Sequence, residues 1–162
     1  MNTIGAVNNG GRKNGRLEFV ARFLAAFAPL YLLAEWVRMP ALYEAIASLE
    51  ATLLSTTGMA AAATGSLITT TTGAFEITSE CTGLAMVAML ASLLFASRNR
   101  NWLRWLAAGT AFLLAFNLLR LYATLAAGAV FGVSALEIVH PALWFVDAAA
   151  VVAVWAKAEG MF

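Results

Sequence analysis

The stretch that decides the fold is Cys81-Thr-Gly-Leu-Ala-Met-Val-Ala-Met-Leu-Ala-Ser-Leu-Leu-Phe-Ala-Ser97, followed at once by Arg98-Asn-Arg100-Asn-Trp102-Leu-Arg104-Trp105. Seventeen residues without a charge end in three arginines and two tryptophans. An apolar run closed by a basic cluster and interfacial aromatics reads as a membrane segment whose basic flank stays on the cytoplasmic side. The composition agrees: of 162 residues, 62% are hydrophobic and 12% charged, with a mean hydropathy of +0.80. A water-soluble domain of this size does not leave nearly every helix face apolar. A net charge of +1, with the basic residues at the ends of apolar runs instead of in a stripe, argues against nucleic acid as a partner.

Working outward, residues 17–37 form a first apolar run long enough to cross a hydrocarbon core of ~30 Å. Its length, and Pro29 directly after Ala26-Phe27-Ala28, favour a signal anchor over a cleaved signal peptide. Residues 1–16, polar and ending in Arg12, Lys13 and Arg16, read as a disordered cytoplasmic tail. A third span is expected at 102–127 and a fourth at 140–157, ending at Lys157. With the second at 82–97, both termini lie inside and every basic cluster agrees, Arg38 being the single dissent. Trp102, Trp105 and Trp155 fit an interfacial belt.

Between the first two spans lies a different kind of sequence. From Ala41 to Ser55, Leu42, Ile46, Leu49 and Leu53 make one stripe, while Glu44, Ser48, Thr52 and Ser55 lie opposite, which predicts an amphipathic helix at the interface or over the bundle mouth. The Thr-rich stretch from Ser66 to Glu80, with Gly73 at its centre and Phe75 and Ile77 in period two, predicts a small β-hairpin outside the hydrocarbon. The expected fold is therefore an all-α integral membrane protein of about four transmembrane helices, with an extracytoplasmic amphipathic helix and hairpin. It forms one membrane-embedded domain over residues 17–162.

Helical rise brings three polar side chains to one depth on the outer side. Cys81 opens the second span, Arg120 lies 18 residues into the third, roughly 27 Å along it, and His140 opens the fourth. Each has a plain structural alternative: a small buried hydrophobe for Cys81, a snorkelling cation for Arg120, a helix-start residue before Pro141 for His140. Asp147, two turns below His140, is costly in a membrane unless paired. It is expected to pair with Arg120 or to orient His140 through an intermediary. Glu76 and Glu80 beside Cys81 suit a basic or amine acceptor, or are simply solvated.

In this order and spacing, Phe75-Glu-Ile-Thr-Ser-Glu-Cys81-Thr-Gly-Leu84, then Asn117-Leu-Leu-Arg120-Leu, then His140 resemble the exosortase and archaeosortase family of membrane cysteine transpeptidases, over roughly residues 42–157. Thr82 stands where the family often has Ser, and the additional N-terminal spans of many members are missing. The resemblance implies cleavage near the C-terminus of secreted proteins that carry a short motif, a transmembrane helix and a basic tail. It also implies acyl transfer to a lipid or other envelope acceptor at the outer face of the cytoplasmic membrane. The nucleophile then falls on Cys81, the essential cation on Arg120 and the third catalytic member on His140, with Asn117, Glu80 and Asp147 in support.

The residue chemistry suits those roles. A helix N-terminus favours the thiolate form of Cys81; imidazole takes the thiol proton and returns it to the leaving amine; a guanidinium stabilises a tetrahedral oxyanion. Asn117, one turn before Arg120, is placed to steer its guanidinium. With one His, one Cys and no Gly-rich phosphate loop, no cofactor or metal is expected. The competing reading is a non-catalytic polytopic membrane subunit or small transporter, with Arg120, Asp147 and His140 as a buried polar network.

Overall fold

The structure is a computed structural model that describes residues 9–161, with side chains described for 15–132, 134, 139 and 141–161. Five α-helices, a short 3-10 turn and one small sheet follow in the order α1 (Asn9–Trp36), α2 (Pro40–Thr56), β1 (Ala61–Thr64), β2 (Leu67–Thr70), β3 (Ala74–Glu76), the 3-10 turn Ser79–Thr82, α3 (Leu84–Ala96), α4 (Trp102–Phe131) and α5 (Val133–Ala158). This bears out a mostly helical membrane fold, and three helices carry stretches long and apolar enough to cross a bilayer: Gly15–Trp36, Trp102–Phe131 and Pro141–Ala158. The second expected span is shorter than expected. At 13 residues, α3 rises about 20 Å, short of the hydrocarbon thickness, because Gly83 at φ +76° breaks the helix before it can include Cys81.

One end of the bundle gathers the basic clusters. Glu18, in the N-terminal half of α1, bonds to Arg22 and to Arg98 in the α3–α4 loop. Ser97 donates to Glu159 at 2.7 Å, and Asn99 donates to Glu159 and to the Ala158 carbonyl. These contacts bring the N-terminal half of α1, the α3–α4 loop and the α5 end together. Helix α1 begins at Asn9 and so takes in part of the stretch 1–16, the expected tail, although Gly10, Gly11 and Gly15 are poor helix formers. Residues 1–8 of that expected tail lie outside the described residues.

The opposite end carries α2 and the sheet. The expected hairpin exists as β2–β3, its turn ending at Gly73, and Phe75 and Ile77 both face inward. It is extended by β1, antiparallel to β2 in the register Ala62↔Thr69. Nothing in Ala61-Ala62-Ala63-Thr64 alternates, so β1 is specified by its partner strand and by α2 beneath it. The inward face of α2 is not the leucine stripe. Ile46, Ala47, Glu50, Ala51 and Leu54 are buried, whereas Leu42, Leu49 and Leu53 are exposed. Alanines allow close approach to the sheet and α4, and the leucines face outward, a face suited to an interface.

Two apolar clusters follow. One joins Ile46, Leu54, Ile68, Phe75, Ile77, Cys81, Leu121 and Leu125 at the capped end. The other, deeper in the bundle, joins Met86, Leu90, Leu94, Leu113 and Val151. Helices α3, α4 and α5 meet closely at Gly109, where a Cβ would lie 2.4 Å from Leu90 Cδ2 and 2.9 Å from Val154 Cγ1.

Candidate active site

Cys81 is the third residue of the 3-10 turn, and its side chain packs in the capped-end apolar cluster. It does not open a long helix as expected. Its backbone N–H is taken by the Thr78 carbonyl at 3.0 Å, and Thr78 Oγ1 lies 3.8 Å from Sγ. The turn is held by Thr82, which donates to the Ser79 carbonyl at 2.6 Å and receives the Leu84 N–H. Gly83 then reverses the chain into α3. Only a residue without Cβ fits there, since the left-handed backbone is strained for others and a Cβ would meet Asn117 Cγ at 3.0 Å.

That close approach exists because Asn117 Nδ2 donates to the Cys81 carbonyl at 2.8 Å, both groups buried. The expected role of Asn117 in steering Arg120 is thus replaced by a different one. Its amide is spent on the backbone of the Cys81 turn and ties that turn to α4. One turn further along α4, Arg120 donates through Nη1 to Asp147 Oδ2 of α5 at 2.5 Å, with side-chain exposures of 4% and 12%. Of the two pairings expected for Asp147, the one with Arg120 is present. The plain alternative for Arg120, a snorkelling cation, does not fit a buried guanidinium.

Arg120 and Asp147 line a cavity of about 230 Å³ between α1, α3, α4 and α5. Its apolar wall is Phe27, Tyr31, Met86, Met89 and Trp144, and its polar lining also includes Asn117, Glu35 and Glu80. Gly83 and Glu80, on either side of the Cys81–Thr82 pair, both line it. The Cys81 thiol itself packs in the adjoining apolar cluster, across the same short turn. Arg120 Nε and Nη2 are buried and have no hydrogen-bond partner among the described residues. With Nη1 held by Asp147, the other edge of the guanidinium presents two parallel donors.

His140 does not head its helix. Gly132, at φ +86°, ends α4, α5 begins at Val133, and Pro141 is accommodated inside the helix. The His140 side chain lies outside the described residues. Glu35 was not singled out from the sequence. It is the penultimate residue of α1, accepts from Ser79 Oγ at 2.9 Å, and so fixes α1 against the 3-10 turn. A carboxylate in the last turn of an apolar run was the available signal. Among the described residues, no group of three or more His, Cys, Asp or Glu is placed to hold a metal ion.

A family model described as transmembrane exosortase (Exosortase_EpsH) matches residues 10–156. No curated protein and no solved structure matches the chain.

Proposed function

From the premise that this chain belongs to the transmembrane exosortase family, we propose that it is a membrane cysteine transpeptidase in which Cys81 forms a thioacyl intermediate. Its substrates are secreted proteins whose C-terminus carries a recognition motif, a transmembrane helix and a basic tail. The acceptor is a lipid or another envelope component. The observation that carries this reading is the buried Arg120 in the cavity lining, anchored by Asp147 through Nη1, with Nε and Nη2 buried and without a hydrogen-bond partner among the described residues.

In this reading the scissile carbonyl enters the cavity beside the 3-10 turn, and the Cys81 thiol turns toward it from the apolar cluster. His140 removes the thiol proton and sulfur attacks the carbonyl carbon. The oxyanion that forms accepts from Arg120 Nε and Nη2, donors that gain most in a water-poor site. The tetrahedral intermediate collapses with cleavage of the C–N bond. His140 returns the proton to the departing amine, which leaves with the transmembrane tail. A nucleophile of the acceptor, deprotonated by His140, then attacks the thioester and releases the thiol. Asp147 holds Arg120 and supplies the counter-charge that makes its burial tolerable. Asn117 positions the Cys81 turn, and Glu80 and Glu35 give the cavity an anionic rim.

In this reading the α3–α4 end, where the basic residues gather, faces the cytoplasm, and the cavity opens on the outer side of the cytoplasmic membrane with both termini inside; the positive-inside tendency of basic flanks supports that orientation. Residues 17–162 then act as one membrane-embedded unit. The test is co-expression with a secreted protein of the same genome that ends in a motif, an apolar span and a basic tail, its processing followed by gel shift and mass spectrometry. Processing is expected to stop in Cys81→Ala and Arg120→Lys at unchanged membrane levels. Undiminished processing in Cys81→Ala refutes thiol catalysis and leaves the non-catalytic subunit or small-transporter reading of Arg120, Asp147 and His140.

A further inference from the structure

Glu50 takes no part in the chemistry above, yet it is among the most buried side chains of the protein. Its relative exposure is 0%, and neither carboxylate oxygen has a hydrogen-bond partner among the described residues. It lies on the inward face of α2 between Ile46, Ala47, Ala51 and Leu54, residues of the same apolar cluster that contains Cys81. A carboxyl with no hydrogen bonds in an apolar cluster is much cheaper to keep neutral than ionised. Burial accordingly pushes its pKa up from 4.5 to about 7.

Helix α2 packs against β1, β2, the 3-10 turn and α4. The strands contribute no titratable group; the turn contributes Glu80 and Cys81, and α4 contributes Arg120 and Tyr122 at this end. Arg120 is engaged with Asp147 of α5, the Tyr122 hydroxyl with Thr57, and Glu80 is exposed on the cavity side. Tyr43 of α2 and Tyr122 pack against the edge of the cluster, and among its buried members Cys81 is the titratable one.

We propose that Glu50 is a proton gate on Cys81: the thiolate forms readily only while the Glu50 carboxyl holds its proton. Loss of that proton to water places a negative charge in the cluster from which the thiol must also lose one, and two like charges in a weakly screened interior oppose each other. Glu50 forms no bond to substrate and is a positioning residue that acts through the charge state of Cys81. Its consequence for acyl transfer rests on the nucleophile reading above, whereas the coupling itself does not.

Because Cys81 is the sole cysteine, a thiol reagent reads it directly. The purified full chain in liposomes, as wild type, Glu50→Gln and Glu50→Met, is treated with N-ethylmaleimide across pH 5.5 to 9.5, and alkylation is followed by intact mass. Both variants are expected to alkylate with a midpoint about one pH unit below wild type, the size of a like-charge effect across a protein interior. Glu50→Met keeps the test open if the amide does not fold, since it removes the charge without adding a buried polar group. Curves with coinciding midpoints overturn the gate, as does a uniform change in rate at every pH, which marks loosened packing alone. The assay contains no peptide substrate, so absence of transpeptidase activity leaves its outcome unchanged.

Discussion

Replacing Gly83 by alanine tests how the Cys81 turn is held. The backbone there sits at φ +76°, a conformation that costs an L-residue roughly 1–2 kcal/mol. The new Cβ would also lie 3.0 Å from Asn117 Cγ, 3.1 Å from its Cβ and 3.2 Å from Nδ2. The Asn117 amide is the buried donor to the Cys81 carbonyl, so moving it weakens or breaks that bond, adding about 1–3 kcal/mol. The expected loss is about 2–5 kcal/mol in total. Gly65→Ala separates the two parts: its φ of +59° is also left-handed, but nothing lies within 4 Å of a Cβ there, so only the backbone cost applies. Reversible unfolding of both variants in mixed micelles measures the difference, together with substrate processing in cells. If Gly83→Ala is no more destabilising than Gly65→Ala, the close approach of Asn117 to the turn does not matter and the argument fails.

Asp147→Ala leaves the Arg120 guanidinium buried without its counter-charge and is expected to cost about 3–5 kcal/mol, whereas an Arg120→Met, Asp147→Met pair recovers most of that loss in the same unfolding assay. Gly109→Ala, whose Cβ would overlap Leu90 and Val154, is expected to destabilise the α3–α4–α5 junction by about 1–3 kcal/mol; a neutral result would mean those helices part more easily than their packing implies. Glu50 also makes stability depend on pH. Its folded-state pKa of about 7 exceeds the value of 4.5 of an open chain, so the folded state binds the extra proton. Stability is therefore fullest below about pH 4.5, declines as pH rises through about 7 by about 3 kcal/mol, and is level above. Unfolding of Glu50→Gln should lack this decline.

Much of the architecture was legible because hydrophobic length and charge placement are local signals. The runs at 17–37 and 102–127 and the Gly73 turn needed no tertiary information. Where the expectation failed, a long-range contact had decided the matter. The Ala61–Thr64 strand has no pattern of its own and exists because Leu67–Thr70 pairs with it. The leucine stripe of α2 was legible, but not that it faces outward while the alanines of the neighbouring face pack inward and carry Glu50 with them. Pro141 suggested a helix start, yet the break is made nine residues earlier by Gly132.

At the candidate site, spacing placed Asn117, Arg120 and Asp147 in register, and the structure joins Arg120 to Asp147 and Asn117 to the Cys81 backbone. What spacing did not reveal is which group each side chain serves. Asn117 lies one turn from Arg120, as expected, but its amide is used across the bundle, and Glu35 enters the cavity from a helix far away in sequence. Helical periodicity fixes neighbours along one helix; it carries no information about partners on another.

The central claim is the covalent step at Cys81. Intact mass and peptide mapping of the enzyme, isolated after brief co-expression with a tail-bearing secreted protein of the same genome, test it most directly. The account predicts an adduct on the Cys81 peptide equal in mass to the substrate lacking its tail, released by hydroxylamine and absent from Cys81→Ala. Processed substrate accumulating with no such adduct, or an adduct that persists in Cys81→Ala, would contradict it.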